Sequence, residues 1–77
     1  MKVGEYRSLV THLERVVNVD YCACVDGKEK AEWAERAARV GSELLNATCS
    51  RASEDLANRA QRIVNKLADR IIEATHV

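Results

Sequence analysis

Apolar residues recur along this chain at alternating steps of three and four, the spacing that lines one face of an α-helix. Tyr6, Val10, Leu13, Val17, Tyr21 and Cys24 form the first such stripe, with Leu9, Val16 and Val19 beside it. Trp33, Ala37, Val40, Leu44 and Ala47 form the second. Ala34, Ala38, Gly41, Leu45 and Thr48 run next to the second stripe, one residue over. Two adjacent stripes make an apolar arc wider than one partner helix needs, so this segment is expected to touch both of its neighbours. Leu56, Ala60, Ile63 and Leu67 form a third stripe, which drifts to Val64, Ala68, Ile71 and Ile72. A straight helix with about 3.6 residues per turn produces that drift.

The breaks between stripes carry capping chemistry. At Asp26-Gly27, glycine can take the left-handed backbone that closes a helix, and Asp26 can cap the next one with Glu29 three residues on. In the second break, Thr48 to Ser53, Ser53 is a good N-cap and places Glu54 and Asp55 at the positive end of a helix dipole. Three segments result, roughly 4–25, 27–48 and 53–76, each about 30 Å long if fully helical. The run Val19 to Val25 alternates like a strand, yet an isolated strand would have no partner, and the Val17, Tyr21, Cys24 spacing continues the helix. The expected fold is all-α: residues 1–77 as one domain, an antiparallel three-helix bundle. The alternative is a helical protomer that completes its core by dimerising.

Composition sharpens this picture. The chain has no proline and no phenylalanine, one tryptophan, and eleven alanines among its apolar residues. Large core groups are therefore scarce, and a domain of 77 residues is near the size at which a core alone is marginal. Gly41 falls on an apolar stripe mid-segment, where glycine costs about 1 kcal/mol against alanine, so it is expected to mark a close helix contact. Twelve basic and twelve acidic residues cancel, which removes any net-charge argument for nucleic acid or anionic lipid. No apolar run is long enough for a membrane span, and Met1-Lys2-Val3-Gly4-Glu5 does not open a signal peptide. Cys22, Cys24 and Cys49 are an odd number and are expected as reduced thiols of a soluble, cytoplasmic protein.

Four constellations are weighed for chemistry. Cys22-x-Cys24 with Cys49 lacks the two-residue spacer and four ligands of structural zinc, and only His76 returns to the same end of the bundle. His12 has no strained nucleophile turn or glycine-rich loop to serve. Glu29, Glu32 and Glu35 interleave with Lys28, Lys30, Arg36 and Arg39, as on a solvated, ion-paired face, and lack a second acidic motif for magnesium. Arg59, Arg62, Lys66 and Arg70 line one side of the third segment and are the best candidate for partner binding. No catalytic residue, metal ligand or cofactor is assigned.

The expected function is that of a non-enzymatic helical protein-interaction module: an adaptor, inhibitor or assembly subunit that binds another protein and itself forms a homodimer. The alternative is a nucleic-acid-binding module using Arg59, Arg62, Lys66 and Arg70, disfavoured because no aromatic residues interleave with the stripe and because Asp55 and Asp69 flank it and can pair with Arg59 and Arg70.

Overall fold

The computed structural model of the chain describes residues 1–75, so His76 lies outside the described residues. Three helical rods pack into an all-α bundle measuring 40 × 18 × 16 Å. The first rod, α1, covers 3–23 as an α-helical stretch (Val3–Arg15), a π-helical turn (Val16–Asp20) and a last α turn (Tyr21–Ala23). The second, α2, is Gly27–Asn46, and the third, α3, is Glu54–Thr75. The N-terminal ammonium of Met1 reaches the Thr48 carbonyl beyond the end of α2 at 3.1 Å, which sets α1 and α2 antiparallel. Glu14, Asn18 and Tyr21 meet Arg59, Lys66 and Glu73 in that order, which sets α1 and α3 parallel. The path is up, down, up.

The junctions follow from capping. Asp26 sits in extended backbone, and its Oδ1 accepts the Glu29 amide at 2.8 Å, satisfying one of the orphan donors at the start of α2. Gly27 departs from its expected role. No glycine has a positive φ; Gly27 is the first residue of α2, and α1 closes instead on Cys24 in extended backbone. Ser53 is the expected cap, its Oγ accepting the Leu56 amide at 3.2 Å. The segment 19–25 is helical only as far as Ala23.

Each rod gives four residues to the apolar core: Val10, Leu13, Val16 and Val17; Trp33, Ala34, Ala37 and Leu44; Leu56, Ala60, Ile63 and Leu67. The expected stripes form its spine. Both stripes of α2 contribute, Trp33 toward α1 and Gly41 toward α3, but Ala38 and Leu45 on the outer stripe remain exposed. Trp33 is wholly buried, and its indole Nε1–H donates to the Val16 carbonyl at 2.8 Å. That carbonyl opens the π turn and also accepts the Tyr21 amide five residues on. A carbonyl has two lone pairs, so both donors are accommodated.

Gly41 lies at a close approach of α2 to α3: a Cβ placed there would overlap Cδ2 of Leu67. Replacing Gly41 with leucine should therefore overpack the contact and destabilise the fold by about 1–3 kcal/mol. Urea melts check this, and a Gly41→Leu variant as stable as the parent would contradict it.

Candidate functional site

The basic side of α3 faces α1, and most of its donors are engaged there. Arg59 forms a two-pronged ion pair with Glu14, at 2.5 and 3.4 Å, which raises the guanidinium pKa beyond its already high ordinary value. Lys66 donates to Asn18 Oδ1 at 2.5 Å. Arg70 pairs with Glu73 at 3.1 Å and lies over the Tyr21 ring, 5.0 Å from its centroid. Among the described residues, Arg62 alone of the four has no such side-chain partner. The stripe thus joins α1 to α3.

The end of the stripe is a compact polar and aromatic cluster. The Tyr21 hydroxyl donates to Glu73 Oε2 at 3.3 Å, and its ring packs tilted against Trp33 with centroids 4.8 Å apart. Lys30 approaches the same ring at 5.8 Å, so cations from α2 and α3 both face it. Loss of surrounding water, and then the Glu73 carboxylate, push the Tyr21 phenol above its ordinary pKa. Cys22, Cys24 and Cys49 are free thiols. Cys24 is half-buried with its Sγ 3.4 Å from the Asp20 carbonyl, and burial raises its pKa.

A concave site with a largely apolar lining lies on another side, between α1 and α2. It is a groove of about 310 Å³ lined by His12, Val16, Asp20, Trp33, Arg36, Arg39 and Val40. Trp33 lies at its base, screened from water, with Val16 and Val40 flanking it. Because α1 and α2 are antiparallel, His12 and Arg39 lie to one side of the Trp33–Val16 bond and Asp20 to the other. Neither Arg36 nor Arg39 has an ion-pair partner among the described residues. Sequence reasoning placed these arginines on a solvated, ion-paired face and gave His12 no chemistry to serve. The signal that joins them is spacing: Trp33, Arg36 and Val40 share one edge of α2, the edge that turns toward α1.

An exposed apolar strip runs along the outer side of the α2–α3 seam. Leu45 is 68% exposed and Ile72 63%, with the exposed alanines Ala38 and Ala68 between their levels. Helical periodicity sets Val64, Ala68 and Ile72 on the flank of α3 away from Arg59, Lys66 and Arg70, which meet α1. Among the described residues no three His, Cys, Asp or Glu side chains gather as a metal site, and no helix is long and apolar enough to cross a membrane. No family model, curated protein or solved structure matches the chain.

The Tyr21 environment predicts an alkaline limit. Its folded pKa lies above the unfolded value of about 10, so the folded chain holds the phenolic proton more tightly. That stabilisation is whole below the unfolded pKa and is lost as pH rises through the folded one. Urea melts in the alkaline range should show this fall, and Tyr21→Phe should flatten it. An equally steep fall in the Tyr21→Phe variant would contradict the assignment.

Proposed function

We propose that this chain is a non-enzymatic helical protein-interaction module that forms a symmetric homodimer and serves as an adaptor, inhibitor or assembly subunit in the cytoplasm. The observation that carries this reading is the apolar strip of Leu45, Ala38, Ala68 and Ile72 beside the α2–α3 seam. Each large side chain lies far more exposed than the core residues beside it, and covering such surface drives association. The small alanines let a facing helix approach closely, and a two-fold axis across the seam makes the strip its own partner. Zero net charge leaves little long-range repulsion between copies. Free thiols suit a reducing compartment. The nucleic-acid reading of Arg59, Arg62, Lys66 and Arg70 stands second, because Arg59 and Arg70 are already paired with carboxylates.

Association stabilises the folded form by mass action, so the melting temperature should rise with protein concentration. Sedimentation equilibrium at micromolar concentration should give the mass of two chains, and Leu45→Lys with Ile72→Lys should return it to one. A single-chain mass for the parent across that range would overturn the dimer.

A further inference from the structure

We propose that the groove between α1 and α2 is a binding site for a small amphiphilic monocarboxylate: a short aliphatic or aromatic body ending in one carboxylate. The proposal does not depend on self-association, because the groove and the α2–α3 strip lie on different sides of the bundle.

The base of the groove is apolar. Val16 and Val40 flank the Trp33 indole, which the Val16 carbonyl holds by its N–H. That wall is built on two helices joined by a buried hydrogen bond, so it is formed before any ligand arrives. The volume, about 310 Å³, falls at the small end of the range for organic ligands, roughly 300–1,000 Å³. It suits a short body.

The rim supplies the charge. Arg39 lines the His12 end without an ion-pair partner among the described residues, while Arg36, one turn earlier and also outside any ion pair, lines both the groove and the acidic surface of Asp20, Glu29 and Glu32 beside it. A guanidinium offers a planar pair of N–H donors that matches a carboxylate. Asp20 closes the opposite end, and Glu29 and Glu32 line the surface beyond it. These acids disfavour a second negative group at that end. They also disfavour an acidic polypeptide that would have to run on past Asp20. One carboxylate at the His12–Arg39 end, with an apolar body over Val16 and Val40, satisfies each of these constraints.

Trp33 is the only tryptophan, so emission and the indole N–H resonance come from the base of the groove, and the backbone amide resonances separate a change there from one on the Tyr21 side of the same ring. Octanoate, below its micellar range, is the probe. Octanamide keeps the chain without the charge, acetate keeps the charge without the chain, and octanedioate adds a second carboxylate. Octanoate should change Trp33 emission saturably and shift the amide resonances of Val16, Arg39 and Val40. Octanamide and acetate should bind at least about tenfold more weakly because each lacks one of the paired interactions, and octanedioate because its second carboxylate meets the acids at the Asp20 end; octanoate should lose as much on Arg39→Gln or Arg36→Gln. Both variants alter exposed side chains, and unchanged urea melts would establish that they fold. Equal binding of octanoate and octanamide would overturn the proposal, as would equal binding of octanoate and acetate or of octanoate and octanedioate. So would absence of a saturable change at millimolar octanoate, shifts centred on Leu45 and Ile72, or undiminished binding by both variants.

Discussion

A wholly buried indole has one polar atom that must find an acceptor, and in an all-helical protein nearly every buried carbonyl is already committed to its own helix. Trp33 resolves this at Val16, whose carbonyl takes the indole N–H at 2.8 Å where α1 passes into its π turn. An unsatisfied N–H in that position would cost about 1–3 kcal/mol, a large share of the stability of so small a domain. The bond fixes the height of α2 against α1. The tilted packing of Tyr21 on the same indole, and the groove flanked by Val16 and Val40, both follow from that height. A side chain bonded into the helix ladder is a recognised cause of local distortion, and π turns recur where a helix does something other than span.

The third helix is held by different means on its two flanks. Toward α2 it closes by shape, Leu67 filling the space that the missing side chain of Gly41 leaves. Toward α1 it closes by charge and hydrogen bonding, through Glu14–Arg59, Asn18–Lys66 and the Tyr21–Glu73–Arg70 cluster. The core needs both, because alanine and glycine occupy so many of its α2 positions that little large apolar surface remains to bury. Among the described residues Met1, Val19, Val25, Leu45 and Ile72 lie exposed outside the core, and of these Leu45 and Ile72 flank the α2–α3 seam.

Much of the fold was legible in the spacing of apolar residues. Val10, Leu13, Val17 and Trp33, Ala37, Leu44 lie in the core where their stripes placed them, and Asp26 and Ser53 cap the helices they were read as capping. Gly41 was legible because a mid-helix glycine on an apolar face needs a steric reason. The π turn was not legible, since it leaves no local mark in a run of valines, and the Trp33 bond to the carbonyl that opens it comes from 17 positions away. The role of Gly27 was misread because a glycine between two helices is equally placed to end one or begin the other. The groove was illegible for a related reason: His12, Asp20, Arg36 and Arg39 belong to two helices, and only their antiparallel packing brings them to one cleft. The basic stripe was visible as a pattern and pairing of Arg59 and Arg70 was expected, but with Asp55 and Asp69; the carboxylates that engage them are Glu14 on the first helix, which only the tertiary packing brings near, and Glu73 on the third.

Hydrogen exchange of the Trp33 indole N–H, followed by NMR across low urea concentrations, tests the central bond directly. If that bond locks α2 to α1, the N–H exchanges only when the whole bundle opens. Its opening free energy and urea dependence should then match those of global unfolding from urea melts. Exchange through a far smaller, urea-independent opening would show that the indole is released while the bundle stays folded, and would contradict the account.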